Sequence, residues 1–472
     1  MTTLRFHGSA AVLLLPLALF VAVTARLFIS EAAFDLTGLA AAGVLTLFSG
    51  SLLAKSPSEY WKAAVRGASS ELTGTVVLIL IASGIFSAMM KASGVADGLV
   101  FLGGMLHLTG HAFTVFVLLA SSLMAAATGS SIGTLLAAMP IFFPAGVALG
   151  ADPAMLAGAV LSGAIFGDNL APVSDVTVIS SVTQRFRDGT PADIAGVVRT
   201  RLPYAMTALA VSMPVYAFMG ASRPVSEAAL SGDASALLML VPVAVLIAVA
   251  VRTRDVLMAI SAGAVTGTAT GLLIGRLSFA TIFAADDGRL SGFLISGISN
   301  VSPIILLCVT LFAFTGIVRE AGVPDMMAKA LEAGSAGRPS ALRTELFLSA
   351  ATLVVTTLFA AVTSASVALV GSLTDDIGRA SNVHPYRRSH ILSGLANSLP
   401  VLMPFSAFVL ITMAAVSGLE GAAAVTPFTL MTAAVYPIAL FLVFGFMVLT
   451  GTGRMMETPE PEAAEAKTAT AL

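Results

Sequence analysis

The chain reads as an all-α polytopic membrane protein built from two inverted-topology repeats, with broken helices and re-entrant hairpins. Three observations predict that class. Of 472 residues, 57% are hydrophobic and 11% charged, with a mean hydropathy of +0.96, beyond what a soluble globular chain carries. Apolar runs of helix-spanning length, about 17–25 residues, recur from Ala10 to Leu449, whereas alternating strands of barrel length do not. Two sets of such runs flank the polar link 222–235.

The first run, 10-AAVLLLPLALFVAVTA-25 behind Arg5, has the outline of a secretion signal, but the many spans behind it predict a retained first helix. Membrane segments are expected near 9–29, 36–54, 74–91, 99–127, 131–148, 154–183 and 203–219. A second set is expected near 235–251, 256–275, 302–318, 344–363, 366–380, 390–415 and 427–449. Residues 453–472, rich in Ala, Glu, Pro and Thr without apolar periodicity, predict a disordered cytoplasmic tail. The domain plan is a first repeat over 1–221, a linker over 222–235 and a second repeat over 236–452.

Residue similarity supports the duplication. The stretch 76-VVLILIASGIFSAMMKASGVADGL-99 aligns without gaps on 304-IILLCVTLFAFTGIVREAGVPDMM-327; 126-AATGSS-131 stands opposite 361-AVTSAS-366, and 161-LSGA-164 opposite 392-LSGL-395. Basic residues concentrate in loops 55–66, 185–201, 252–254 and 319–343, while loops near 30–35, 92–98, 220–234 and 277–300 carry few. If Lys and Arg stay cytoplasmic, both termini lie inside, 92–98 lies outside and its partner 319–325 inside, which makes the repeats inverted. Inverted repeats with interrupted helices bind their cargo near the midplane, where the helices break.

Composition excludes other classes. A net charge of −2 offers nothing to nucleic acid. One cysteine, Cys308, and five scattered histidines form no disulfide framework or metal-ligand spacing. His107 and His111 bracket a glycine and read as a loop or helix end. Neither GxSxG, HExxH nor a Walker A motif occurs, so no enzyme, pump or cofactor is expected.

The chemistry is expected at two breaks. In the first repeat, 128-TGSSIGT-134 gathers small and hydroxyl residues, including Ser130, Ser131 and Thr134. Nearby, 167-GDNLAPVSD-175 interrupts a helix at Gly167 and Pro172. Backbone freed there must face protein or a water-filled cavity. With Asp168, Asn169, Ser174, Asp175 and Thr177 it makes an oxygen-rich cluster fit for a small hard cation or a proton. Each charged aspartate at mid-bilayer costs about 2.5–3.5 kcal/mol even on the lenient insertion scale, and the first cationic residue downstream is Arg185. The second repeat offers Ser364, Ser366 and Asn397 without a carboxylate at the corresponding place. Asp375 and Asp376 follow the 363-TSAS-366 segment by about ten residues, roughly 14 Å of helix, and, with Arg379, Arg387 and Arg388, read as a solvated membrane-face end.

The run 162-SGAIFGDNLAPVSDVT-177 resembles the signature of NhaC-type sodium/proton antiporters of the ion-transporter superfamily, a small-residue helix, FGD, then SPxSDTT. The segment 128-TGSSIGT-134 is similar to that family's GTSWGT, and 91-KASGVAD-97 occupies the place of its SGT-containing loop. Gly167, Asp168, Pro172, Ser174, Asp175 and Thr177 match, as do Ser130, Gly133 and Thr134. Asn169 stands where the family has lysine, Ala171 where it has serine, Val176 where it has threonine and Ile132 where it has tryptophan. The resemblance implies a divergent member in a bacterial plasma or inner membrane, exchanging Na+ for H+, with Asp168 and Asp175 holding the transported Na+. Its expected partners are the cation, protons, the lipid bilayer and, as an assembly, a homodimer. The residues leave a second function open, Na+- or H+-coupled transport of an organic acid or amino acid, because serine-tipped broken helices also suit a carboxylate. The lack of a conspicuous intramembrane arginine to clamp such a substrate favours a simple cation.

Overall fold

A computed structural model describes residues 4–8, 10–27, 36–221, 233–253, 255–286, 289–322 and 340–457. The core of the expected linker, 222–232, and tail residues 458–472 lie outside the described residues. Residues 453–457 pack on the body, where Arg454 meets Glu345 at 2.9 Å and Met456 bridges Val383.

The first half contains α1 (Leu14–Ala25), α2 (Leu36–Leu53), α3 (Pro57–Ala68), α4 (Glu71–Ser93), α5 (Val95–Met105), α6 (Gly110–Thr128), α7 (Ser131–Ala148), α8 (Pro153–Leu170), α9 (Asp175–Val182) and α10 (Ile194–Met219). The second contains α11 (Leu240–Thr253), α12 (Val256–Leu273), α13 (Phe279–Ile282), a hairpin of β1 (Ala284–Asp286) with β2 (Arg289–Ser291), and α14 (Phe293–Glu320). After it come α15 (Ala341–Leu358), α16 (Thr363–Ala380), α17 (Pro385–Ala396), α18 (Ala407–Val416), α19 (Pro427–Ala433) and α20 (Val435–Thr450).

Among the described residues, nine helices are long and apolar enough to cross a membrane, or eleven if each of two bent pairs is one span. This is fewer than the segments expected. The 99–127 segment is two helices parted by a turn in which His107 takes φ 55°, so the loop reading of the histidine pair holds. Ser56 and Pro57 start α3, an amphipathic helix within the basic 55–66 loop, and Tyr60, Ala63 and Ala64 are its buried face.

Helices that the sequence alignment of the two halves pairs pack antiparallel. Along α4 and α14, Gly84 meets Gly297 and Thr75, Val76 and Ile79 share a cavity wall with Cys308 and Phe312, while Gly67 of α3 meets Gly316. A Cβ on Gly84 would lie 2.4 Å from the Gly297 carbonyl, the close backbone approach that small residues allow in lipid. Both helices end at a left-handed glycine, Gly94 (φ 68°) and Gly322 (φ 69°), the aligned positions of GVAD and GVPD. Likewise the ring of Tyr204 on α10 meets that of Phe444 on α20 at a tilt of 45°, whereas Tyr216 reaches back to Ala433 and Val435. Exchanging the halves maps further contacts onto one another: α7 packs on α18 as α16 does on α9, and α2 on α14 as α12 does on α4.

Loops gather at two ends. At one, Leu4 N donates to Glu320 O at 3.1 Å, Lys55 N to Arg5 O at 2.9 Å, and Arg66 pairs with Glu320. At the other, Arg276 pairs with Asp233, and Lys91 Nζ donates to the Gly418 carbonyl.

Candidate functional site

Four helix beginnings converge on one cavity of 170 Å³. They are the first turns of α7 and α9 from the first half and of α16 and α18 from the second, contributing Ser130 and Ser131, Ser174 and Asp175, Thr363 and Ser364, and Ala407 and Phe408. Each turns its positive dipole end inward. Ser130 caps α7 through the Gly133 amide, and Ser406 caps α18 through the Val409 amide, both at 3.1 Å; α9 and α16 begin without a side-chain cap. Helices α4 and α14 close the wall with Thr75, Val76, Ile79, Cys308 and Phe312.

The carboxylates in this lining are Asp168 and Asp175. Asp168, in the last turn of α8, is 4% exposed and accepts from Ser131 Oγ at 3.1 Å. Asp175, the first residue of α9, faces the cavity from a more exposed position. The expected break is present as the four residues Ala171–Ser174 between α8 and α9, with Pro172 within it.

Other expected residues fall around this centre. Gly167 is inside α8, where an added Cβ would lie 2.3 Å from the Ser122 carbonyl of α6; it is a packing glycine, not part of the break. Asn169 turns away from the cavity, accepting from Ser393 at 3.2 Å and donating to Tyr436 Oη at 3.4 Å. Thr177 lies behind the cavity beside Arg201, and Thr134 faces Thr128 at 3.4 Å. In the second half, Ser364 lines the cavity, Ser366 bonds back to Val362 O at 3.1 Å, and Asn397 is buried at the end of α17.

Two expectations about charge are corrected. Arg201, counted with the 185–201 loop, lies two turns into α10 and is fully buried. Its Nη1 donates to Asn169 O at 2.8 Å and Thr177 Oγ1 at 3.3 Å, its Nη2 to Ser180 Oγ at 3.4 Å and Ser389 Oγ at 3.3 Å. An intramembrane arginine therefore does stand at the break. The signal was its register: Val197, Arg201, Ala205, Ala208, Ser212 and Tyr216 form one buried stripe at helical spacing.

The second correction concerns Asp375, which is not a solvated end. It is buried, paired with fully buried Arg388 at 2.8 Å, and accepts from the Arg185 amide at 2.7 Å. Asp376 is exposed as expected. Arg387 is also fully buried and meets Glu345 at 2.9 Å. The bonds among Asp375, Arg388 and Arg185 tie the α9–α10 loop to α16 and α17, and the Arg387–Glu345 pair ties α17 to α15. Outside the membrane segments, Asp193 caps α10; the hydroxyl of Tyr386 and the Gly196 amide hold its carboxyl below the usual carboxylate range.

Residues 3–221 match the sequence model of the Na+/H+ antiporter family. The chain is 31% identical over 176 residues to the malate-2H(+)/Na(+)-lactate antiporter of Bacillus subtilis, 37% of this chain and 36% of that protein. It is 28% identical over 280 residues to the Na(+)/H(+) antiporter NhaC of Alkalihalophilus pseudofirmus, 54% of this chain and 58% of that protein. It thus spans about a third of the first relative's length and under two thirds of the second's. Among solved structures, the Neisseria gonorrhoeae antimetabolite efflux pump MtrF aligns at 12% identity over 92% of this chain and 95% of that one, with a TM-score of 0.39, a likeness too slight to carry an argument. The matched stretch, just under half of the chain, includes both breaks of the first half and both cavity aspartates, and over it the chain is similar to the Na+/H+ antiporter family.

Proposed function

We propose that this protein is a secondary active transporter that exchanges a small cation, Na+ first among candidates, for H+ at Asp168 and Asp175. The observation that carries the reading is their place. They are the carboxylates lining a cavity shared by the broken helices of both halves. Ionised, they and the hydroxyls of Ser130, Ser131 and Ser174 offer a cation an all-oxygen site. Protonation removes the charge and releases the cation, so the two ligands compete, and apparent cation affinity falls as pH falls. If the loaded or protonated site is presented alternately to each face while the empty charged site is not, competition becomes obligatory exchange.

A second reading has its own support. Four positive helix ends suit an anion, and 170 Å³ is several times the roughly 30 Å³ share of one water, room for a small organic acid. The Bacillus relative is named for malate and lactate.

One experiment separates them. Proteoliposomes with an imposed pH gradient are challenged with Na+ and, separately, with a panel of small organic acids and amino acids. Na+ is expected to dissipate the gradient unaided, and Asp168→Asn and Asp175→Asn each to abolish or severely impair this while the protein still inserts. Dissipation only with an organic acid selects the second reading. A double asparagine variant with wild-type exchange and pH profile removes the aspartates from the mechanism.

A further inference from the structure

Among the described residues, three arginines have fully buried side chains, and two meet a carboxylate directly, Arg387 with Glu345 and Arg388 with Asp375. Arg201 does not. Its four hydrogen bonds go to one carbonyl and three hydroxyls, and its Nε has no partner. A guanidinium buried without a carboxylate in contact is expensive unless a nearby negative charge compensates it. Its shortest bond is to the carbonyl of Asn169, the residue after Asp168, which places the guanidinium beside the turn of α8 that carries the buried cavity carboxylate. The Asn169 carbonyl belongs to the last turn of α8, and Thr177 and Ser180 to α9, so one guanidinium clasps both sides of the break; Ser389 ties it to α17 of the other half.

We infer that Arg201 is the fixed counter-charge and positioning residue of the Asp168–Asp175 site. With both aspartates ionised, it leaves the site one net negative charge, so one monovalent cation or one proton brings it to neutrality. Its reach across the break keeps α8 and α9 apart at Ala171–Ser174 while turning the Asn169 carbonyl away from the cavity. This rests on the cation/proton reading for its use, but not for its test.

The titratable and charged groups around Arg201 are few. On the elements packed against α10 they are Asp168 of α8, Asp175 of α9, Tyr386 and His390 of α17 and Tyr436 of α20, with Tyr386 bonded to Asp193 at the start of α10. Arg387 and Arg388 of α17 are taken up by Glu345 and Asp375. On α6, His111 lies beside the opposite end of α10, where Gly110 meets Ala221.

The test reads protonation directly. Purified full-length protein is treated with dicyclohexylcarbodiimide, which modifies protonated carboxyls, across a pH series, and labelling at Asp168 and Asp175 is quantified by mass spectrometry. A carboxyl that loses a neighbouring positive charge holds its proton to higher pH. Arg201→Gln is expected to move the labelling midpoint alkaline by about one pH unit, and Arg201→Lys to leave it at the wild-type value. An inserted Arg201→Gln protein with the wild-type midpoint overturns the inference, as does an Arg201→Lys midpoint displaced as far as that of Arg201→Gln. Should Arg201→Gln fail to insert, the double variant Arg201→Gln/Asn169→Lys, which restores a cation beside the same turn, carries the test. A wild-type midpoint in it supports the counter-charge role, and an alkaline one defeats it. Wild-type vesicles that exchange no cation for protons defeat the functional reading alone, because the labelling profile still decides the role of Arg201.

Discussion

Gly129 shows how much one missing methyl group can decide. It takes φ +70°, and an added Cβ would lie 2.6 Å from Val173 Cγ2 and 3.1 Å from the Ser174 amide, so the break after α6 touches the break after α8 through this hydrogen. Gly129→Ala adds the left-handed cost of about 1–2 kcal/mol to that clash. It is expected to lower the detergent unfolding temperature and to impair exchange; wild-type values of both would show that the two breaks are not coupled here. At this scale the sequence was legible where residue type and surroundings conflict: Asp168 and Asp175 stand out from apolar neighbours. Arg201 escaped because charges were counted by loop, and the helix that buries it starts at Ile194, earlier than hydropathy places it. Gly167 misled for a related reason, since a glycine near a break is also what lets α8 lie against α6.

The interruptions were legible as elements because hydroxyl, glycine and proline clusters have few uses inside a membrane helix. Less legible was the bend between α19 and α20. Its apolar sequence continues through Ala434 while the axis turns by 53°, and the break is accommodated from outside: Tyr216 Oη donates to Ala433 O at 2.8 Å, and Ser162 Oγ accepts from the Tyr436 amide at 3.2 Å. The junction of α16 with α17 was misread because charges at a helix end are usually solvated, whereas here the α9–α10 loop covers them. Arg388→Met strips Asp375 of its buried partner and is expected to cost about 3–5 kcal/mol, against under about 0.5 kcal/mol for Asp376→Asn at the exposed neighbour. Chemical or thermal unfolding in detergent compares the two; equal, small losses would return Asp375 to the solvated class.

For the whole molecule, three short matches in the same order are the sequence's ground for a duplication, and the aligned helices α4 and α14 lie antiparallel, the arrangement that an inverted pair predicts. The sidedness proposed from lysine and arginine placement puts Ser222 outside and Ala336 inside. With Cys308 replaced by alanine, single cysteines introduced at these two positions are expected to react with an impermeant maleimide from opposite faces of the membrane. Labelling of both from the same face would defeat the inverted arrangement.

Cys308 itself gives the protein a built-in clock. It is the chain's one thiol, buried, on the wall of the cavity between the two halves. A small thiol reagent can reach it only while water does, so its alkylation rate in the unaltered protein is the intrinsic thiolate rate multiplied by the fraction of time the chamber stands open. If the cavity opens in turn to each face, as the proposed exchange requires, comparing that rate from either side of the bilayer, with and without cation, would report how the time is divided without altering a residue.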